Sequence, residues 1–338
     1  MAHGSMQYWP RRRARRRLPR VRTSPEVKEP VLCNMVAFKA GMTHISMIDD
    51  SESPSKNQEV SRAVTVLEVP HMEVYGLRFY GVDPITSYKT TKTDVYNKAL
   101  AAKLNLKKVA NDESKAESMK QRLKEFSDVS VLIAAYPEDL SGVGQHHPVR
   151  FESAIGGKSI EEKFDAAHKI LGKEIKAHEL FKPGEFVDVS AITTGKGWQG
   201  PIKRFHVKRN AHRATNKVRH GGPLGAYSPG KVFFTVPRAG QLGFNYRTEH
   251  NKRILKIGAK ADASSINVKG GFKNYGVVRN DFIIVSGSVG GPAQRMVRLR
   301  KSIRERNEKG VKEPKINYIA HITAPVVQTV AAEAPKKK

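Results

Sequence analysis

The chain reads Phe186-Val187-Asp188-Val189-Ser190-Ala191-Ile192 and continues Thr193-Thr194-Gly195-Lys196-Gly197-Trp198-Gln199-Gly200. The first seven residues alternate as a β-strand does when one of its faces is buried. The residues that follow include no acidic side chain until Glu249, although the whole chain carries 32. Soluble surfaces normally mix both signs of charge, because like charges at close range repel. We therefore expect residues 195–248 to leave the core after this strand and to be stable only against a polyanion.

Composition narrows the class of partner. The chain has 338 residues, a net charge of +28 and a pI of about 10.1, which favours a polyanionic partner. No apolar run approaches the ~20 residues of a membrane-spanning helix, so a spanning segment is not expected. The single cysteine, Cys33, excludes an internal disulfide framework and a cysteine-based zinc site. A reducing, cytosolic setting fits this composition.

The rest of the chain predicts one β core with insertions. Short β-rich runs predict strands at 31–38, 43–48, 60–69, 74–82, 128–135, 275–278, 282–286 and 296–299. Helical spacing predicts helices at 96–104, 114–126, 160–171 and 175–181. Because many strands follow one another without intervening helices, an antiparallel sheet or barrel is expected rather than a parallel sheet.

Seven segments follow from this pattern. They are a basic N-terminal arm (1–30), the first barrel strands (31–92), helical insertions with one buried strand (93–182), a barrel strand (183–194), an inserted extension (195–248), the second barrel strands with a C-terminal segment (249–322), and a flexible tail (323–338). Strand-forming sequence lies on both sides of the extension, so the extension should leave and rejoin the core at adjacent places.

The glycines at 195, 197 and 200 match the G-x-G-x-x-G pattern of dinucleotide-binding folds. That pattern requires a helix after the third glycine, but Pro201 and β-branched or aromatic residues follow here. The acidic residue that would bind a ribose hydroxyl about 20 positions later is also missing. We therefore expect no nucleotide cofactor and no small-molecule substrate.

Metal and catalytic sites are also disfavoured. His206, His212 and His220 have spacings that match no common zinc pattern, and their neighbours are cationic. No carboxylate lies between Asp188 and Glu249 to serve general acid–base chemistry near the glycines. The sequence therefore predicts a protein that is not an enzyme and that holds no metal.

The basic side chains are predicted to bind RNA, because arginine forks match phosphate oxygens and the interleaved aromatic rings can stack on bases. The predicted RNA-binding residues are Arg11, Arg12, Arg13, Arg15, Arg16, Arg17 and Arg20 in the arm, and Lys196, Trp198, Lys203, Arg204, His206, Lys208, Arg209, His212, Arg213, Lys217, Arg219, His220, Tyr227, Lys231, Arg238 and Arg247 in the extension. Two alternatives remain open on charge alone: an architectural protein that binds duplex DNA through its charge, and a nucleic-acid enzyme.

Several motifs together resemble one family. They are His3-Gly4-Ser5 with Trp9-Pro10-Arg11, Lys39-Ala40-Gly41-Met42-Thr43, Gly195-Lys196-Gly197 with Gln199-Gly200, Leu224-Gly225-Ala226, Val236-Pro237-Arg238-Ala239-Gly240-Gln241-Leu242-Gly243, Arg247-Thr248, and Gly270-Gly271-Phe272 with Tyr275-Gly276. Over nearly its whole length the chain resembles the universal L-three family of large-subunit ribosomal proteins, in its archaeal and eukaryotic form.

The resemblance implies a six-stranded β-barrel like that of translation factors, with helical insertions and a long RNA-threading extension. It implies a structural, non-catalytic protein of the cytoplasmic ribosome that binds 23S-type rRNA early in assembly and touches neighbouring ribosomal proteins, with no membrane partner. The tip nearest the peptidyl transferase centre would be Gly225, Ala226 and Tyr227. Family members commonly have a tryptophan where this chain has Tyr227. Some members modify a histidine where this chain has Thr215, so no modification is expected there.

Overall fold

A computed structural model describes residues 5–21, 23–106, 114–213, 216–219, 221, 224–228, 230–304 and 312–320. The strands are β1 (Asn34–Ile48), β2 (Glu59–Glu68), β3 (His71–Val82), β4 (Lys89–Tyr96), β5 (Asp128–Tyr136), β6 (Val149–Ala154), β7 (Phe186–Ile192), β8 (Trp198–Gln199), β9 (Gly240–Gln241), β10 (Tyr246–Gly258), β11 (Phe282–Ser286), β12 (Met296–Lys301) and β13 (Ile316–Ile319). The α-helices are α1 (Lys98–Lys103), α2 (Ser114–Gln121), α3 (Ile160–Ile170), α4 (Ala177–Leu180) and α5 (Pro201–Phe205). The predicted tail at 323–338 lies outside the described residues.

The main sheet has the strand order β12-β7-β10-β11-β2-β1-β13, and β1 also pairs with β12. Every pairing within it is antiparallel. The prediction of a mainly β protein with antiparallel strands is therefore confirmed. The predicted strands at 186–192 and 282–286 match β7 and β11.

β1 is one long strand where two were predicted, at 31–38 and 43–48. Its pairing register with β2 shifts between Lys39 and Gly41, which marks a bulge rather than a turn. A Cβ atom on Gly41 would lie 2.6 Å from the ring of Phe272, so a glycine is needed for this close approach. The bulge lets the first part of β1 pair with β12 while its later part pairs with β2 and β13.

A second sheet, with the order β4-β3-β5-β6, corrects the predicted division of the chain. Residues 31–92 were assigned to the barrel, but β3 pairs with β4 and β5 instead. The strand-forming pattern of β3 was recognised correctly, but a local pattern carries no information about the partner strand. β4 and β6 were not predicted at all, and the segment 93–182 contains more strand than expected.

The predicted strand at 275–278 is wrong. Tyr275 lies instead in a turn formed by residues 270–276, in which Gly270, Gly271 and Gly276 all have positive φ angles. Tyr275 is buried in the turn and donates its hydroxyl hydrogen bond to Glu68. Its buried aromatic ring produced a strand-like pattern in the sequence.

The largest cluster of buried hydrophobic side chains joins the two sheets. It combines residues of the main sheet, such as Phe38 and Leu299, with residues of the second sheet, such as Phe79. Helix α3 adds Phe164, whose ring centroid lies 6.0 Å from that of Phe79. Ser159 caps α3 by accepting a hydrogen bond from the amide of Glu162.

A buried ion pair lies directly before the extension. Asp188 on β7 faces Arg300 on β12, and Arg300 also donates to the backbone oxygen of Thr23 in the arm. Burial acts to raise the pKa of the Asp188 carboxyl. Hydrogen bonds from Arg300, His250 and the amide of Asn251 outweigh this effect and hold the pKa below its usual range. The pair therefore links two core strands to the arm.

We expect the substitution Asp188→Asn to lower the free energy of unfolding by about 3 kcal/mol at pH 7, because Arg300 would lose its buried counter-charge. Since the pKa of Asp188 is depressed in the folded state, its stabilisation is present above the unfolded pKa of about 3.9 and is lost as the pH falls. Denaturant titrations of the unchanged chain and of the variant should show that the difference between their free energies of unfolding is smaller at pH 3 than at pH 7, by about 1 kcal/mol. An equal difference at both values would contradict this role.

Candidate RNA-binding surface

The extension leaves and rejoins the core between β7 and β10. Their pairing ends with Ile192 opposite Tyr246. The ladder continues beyond the core through the amide of Thr193, which donates to the oxygen of Asn245 at 2.9 Å. Further out, β8 pairs with β9 through Trp198 opposite Gln241. The two ends of the extension therefore lie side by side on one two-stranded stem.

Gly243 is required by the geometry of this stem. Its φ angle is +72°, and a Cβ atom added to it would overlap the backbone oxygen of Thr194. The amide of the next residue, Phe244, donates to that same oxygen at 3.3 Å. Close approach of one backbone to another therefore explains the glycine at this position, whereas a Cβ on Gly197 or Gly200 would meet nothing within 4 Å.

A short helix follows the glycine triplet, contrary to the sequence expectation. Helix α5 begins at Pro201, directly after Gly200. Proline is favoured at the first position of a helix, because its missing N–H would have no partner there, so Pro201 was a helix start rather than a helix breaker. The helix has five residues, and its basic residues, Lys203 and Arg204, lie in its last turn.

Arg204 is held by the extension itself. Its Nε donates to the oxygen of Gln241 at 3.1 Å, and its Nη1 donates to the oxygen of Arg238 at 3.0 Å. A side chain on Gly240 would displace it, because a Cβ there would lie 2.6 Å from Nη1. Much of the hydrogen-bonding capacity of this predicted RNA-binding residue is thus used to join α5 to β9.

The N-terminal arm docks on helix α5, at Arg204 and Phe205. Arg11 donates to the backbone oxygen of Arg204 at 3.4 Å, and its guanidinium lies 4.4 Å from the ring centroid of Phe205. Trp9 stacks on Phe205 at 6.2 Å and meets the edge of Phe234 at 5.8 Å. The ring of Trp9 therefore packs partly within the protein.

Two further contacts extend the docking. The amide of Ala14 donates to the oxygen of Phe244 at 2.9 Å. The guanidinium of Arg247 lies 3.9 Å from the ring centroid of Tyr8, which is a cation–π contact. The arm and the extension thus form one continuous surface, called here the arm–extension surface (residues 5–20 and 195–248).

The charges in this surface repel one another. Burial lowers the pKa of the Arg11 guanidinium, and the positive charge of Arg247 lowers it further. Burial likewise lowers the pKa of Arg204, with a further contribution from the charge of Arg11. Three guanidiniums are therefore close together in a part of the sequence that supplies no acidic residue. An anion bound here would relieve the repulsion.

Sequence reasoning missed Arg295, which belongs to this surface. Its guanidinium lies 5.2 Å from the ring centroid of Phe244 in the stem. Burial lowers its pKa, and so does the charge of Arg17 in the arm. Arg295 precedes β12 and is 47 residues beyond the end of the extension, so only the fold brings it there. No signal in the sequence distinguishes it from the other arginines of this region.

The other predicted residues that the structure describes are exposed. These are Arg12, Arg13, Arg15, Arg16, Arg17, Arg20, Lys196, Trp198, Lys203, His206, Lys208, Arg209, His212, Arg213, Lys217, Arg219, Tyr227, Lys231 and Arg238. Arg11, Arg204 and Arg247 are half-buried. Tyr227 is fully exposed, which places its ring beyond the reach of the protein's own packing. His220 and Thr215 lie outside the described residues.

Within the described ranges, no group of three or more His, Cys, Asp or Glu side chains is placed to hold a metal ion. No helix in the described part of the chain is long and apolar enough to cross a membrane.

Phe205 is expected to hold the arm on the extension, since it is buried and contacts both Trp9 and Arg11. Phe205→Ala should remove about 3 kcal/mol of local packing and so raise the rate of trypsin cleavage at the arm arginines at least about tenfold. Phe233→Ala is the matched control, because Phe233 is half exposed and should leave the cleavage rate unchanged. Equal rates for the two variants would show that the arm is not held by this contact.

Comparison with known proteins identifies relatives along nearly the whole chain. A family model described as "Ribosomal protein L3" matches residues 1–324. A protein of Methanothermobacter thermautotrophicus is 42% identical over 326 residues, covering 94% of this chain and 95% of its own. Proteins of Methanocaldococcus jannaschii (40% over 324 residues, 94% and 95% covered) and Pyrobaculum aerophilum (40% over 337 residues, 95% and 97% covered) are similar too. All three are named large ribosomal subunit protein uL3.

Proposed function

The chain belongs to the ribosomal protein L3 family, and from this we propose that it is a structural constituent of the large ribosomal subunit that binds 23S-type rRNA. It is not an enzyme. It acts in the cytoplasm as part of the ribosome, with rRNA and neighbouring ribosomal proteins as its partners. Its contribution is to fold into a surface that neutralises phosphates and so supports early assembly of the subunit.

The arm–extension surface is the observation that carries this proposal. It joins two basic segments almost 200 residues apart in the sequence, and it brings Arg11, Arg204 and Arg247 together without an acidic partner for any of them in 195–248. RNA binding by basic proteins depends on such phosphate neutralisation. The exposed rings of Trp198, Tyr227 and Phe234 add faces on which unpaired bases can stack.

The extension is proposed to reach toward the peptidyl transferase centre with Gly225, Ala226 and Tyr227 at its tip. All three are exposed, and Gly225 has a φ angle of +153°, so this part of the chain can turn sharply without packing on the core. Tyr227 keeps a stacking ring where the family commonly has tryptophan, with a smaller area and an added hydroxyl group.

The core is proposed to be a six-stranded barrel of the translation-protein type. The proposal is supported by a closed cycle of strand pairs, since β1 pairs with β2, β2 with β11, β11 with β10, β10 with β7, β7 with β12, and β12 with β1. In the proposed division, the arm (1–30) and the extension (195–248) leave this barrel. Strands of the second sheet occupy part of the segment 93–182, for which the sequence predicted helical insertions with one buried strand. β13 then lies outside the barrel against β1.

Sedimentation tests the proposed function. Cells that express the tagged chain are lysed, the ribosomes are washed in high salt, and the subunits are separated on a sucrose gradient. We expect the chain in the large-subunit peak at about one copy per subunit. A chain that stays at the top of the gradient, or that follows DNA after ribonuclease treatment, would instead support an architectural DNA-binding protein.

A further inference from the structure

The hairpin that joins β3 to β4 has a tip with unusual chemistry for this chain. The tip, residues 82–88, reads Val82-Asp83-Pro84-Ile85-Thr86-Ser87-Tyr88 and contains no lysine or arginine. The side chain of Ile85 is 91% exposed, that of Tyr88 is 75% exposed and that of Val82 is 49% exposed. Exposed large apolar side chains that cluster in this way mark contact sites for other molecules.

The backbone of the tip is fixed by its own hydrogen bonds. The amide of Asp83 donates to the oxygen of Tyr88 at 3.0 Å, and the amide of Ser87 donates to the oxygen of Asp83 at 2.8 Å. The carboxylate of Asp83 accepts from the amide of Ile85 at 3.1 Å and from Oγ1 of Thr86 at 2.8 Å. Ile85 and Tyr88 are therefore presented on a pre-formed turn, which lowers the entropic cost of binding.

The charge of the tip argues against RNA as its partner. Asp83 is the only charged residue in it, and hydrogen bonds, first among them that from the amide of Ile85, hold the pKa of its carboxyl below the usual range. The tip therefore keeps a negative charge that would repel phosphates. This contrasts with the net charge of +28 of the whole chain and with the arm–extension surface.

Strand addition to the neighbouring sheet edge is also disfavoured. β4 is the edge strand of the second sheet, and it carries Lys89 and Lys92, which is how proteins prevent another strand from pairing with an edge. The side chains of Ile85 and Tyr88 project into solvent, so a partner that covers both has to supply a concave apolar site. Lys92 is exposed beside the tip, next to Gly81, and would pair with an acidic group on that side of the site.

We propose that the hairpin tip inserts Ile85 and Tyr88 into an apolar pocket on a neighbouring protein of the large subunit, with an acidic group of that protein beside Lys92 and none beside Asp83. The proposal rests on the proposed function, because it takes the subunit as the place where the partner is met. Aromatic and large aliphatic anchors that enter a pocket carry most of the binding energy in protein interfaces, so Ile85 and Tyr88 should dominate this contact.

Site-specific photo-cross-linking tests the proposal. The tagged chain carries p-benzoylphenylalanine at position 85, or at the exposed position 56 between β1 and β2 as the control. Large subunits are purified, their content of the chain is measured, and they are irradiated. We expect one discrete adduct from position 85 that resists ribonuclease and whose added mass is that of another subunit protein. Position 56 should not give this adduct. Adding Tyr88→Ser to the chain that carries the cross-linker at position 85 should lower the yield of this adduct about tenfold, while the amount of the chain in the large subunits stays unchanged.

Other results contradict the proposal. A ribonuclease-sensitive adduct would identify RNA at the tip, an adduct of twice the chain mass would identify a second copy of the chain, and the lack of any adduct would leave the tip in solvent. An unchanged yield of the adduct with Tyr88→Ser would show that Tyr88 is not an anchor of the contact. Failure of the unmodified tagged chain to enter subunits contradicts the proposed function itself, and this is measured before irradiation.

Discussion

Replacing residues 195–244 by Asn-Gly is expected to abolish specific RNA association while the remaining chain still folds. The stem makes this replacement possible, because the two ends of the segment lie side by side, with the amide of Thr193 bonded to the oxygen of Asn245, and Asn-Gly suits a short hairpin turn. The removed segment carries ten lysines and arginines and no acid. Losing most of its phosphate contacts should weaken binding to large-subunit rRNA by about 10³-fold or more at physiological salt.

The folded core should survive this replacement. None of the clusters of buried hydrophobic residues in the described part of the chain includes a residue from 195–244. Thermal unfolding of the shortened chain should therefore remain cooperative. Loss of cooperativity would mean that the extension is part of the core, and retained RNA affinity would mean that the arm or another surface carries the binding.

The second large effect concerns three exposed arginines of the extension. The variant Arg209→Gln/Arg213→Gln/Arg219→Gln should flatten the dependence of log K on log salt by about two to three units, because each phosphate contact contributes about 0.7 to 0.9. At about 0.1 M salt the same change should weaken binding about 100-fold. Arg204 is left out, because its bonds to Gln241 and Arg238 hold the extension together and its loss would alter the conformation of the extension.

A matched control separates these contacts from net charge. The variant Lys56→Gln/Lys98→Gln/Lys158→Gln removes the same three charges from exposed positions in segments that mix both signs. Filter-binding titrations of an rRNA transcript over a range of salt should give this control a slope close to that of the unchanged chain. Equal slopes for both triple variants would show that the extension arginines act only through net charge.

Much of the core was predictable because its strands carry local signals. The alternation of 186–192 and the apolar run of 282–286 gave β7 and β11 directly. β4 gave no such signal, because its sequence Lys-Thr-Thr-Lys-Thr-Asp-Val-Tyr is that of a polar edge strand. The partner of β3 could not be predicted either, since pairing with β5 depends on a contact across about 50 residues of sequence. Helix α5 was missed by treating Pro201 as a breaker.

The candidate surface was predictable in composition but not in arrangement. The absence of acid after Asp188 pointed to 195–248 from the sequence alone. No sequence pattern places Arg11 against Arg204, 193 positions away, or turns the ring of Trp9 onto Phe205. These contacts depend on how the arm runs along β12, where Arg298 and Arg300 donate to the backbone oxygens of Pro19 and Thr23. Long-range packing of this kind requires the fold.

A cryo-EM map of large subunits that contain this chain tests the central claim most directly. The account predicts that the arm–extension surface is enclosed by rRNA, with the guanidiniums of Arg11, Arg209 and Arg213 within hydrogen-bond distance of phosphate oxygens and Tyr227 at the deepest point. A map in which residues 195–248 face solvent or another protein, with the rRNA lying along a different face of the chain, would contradict it.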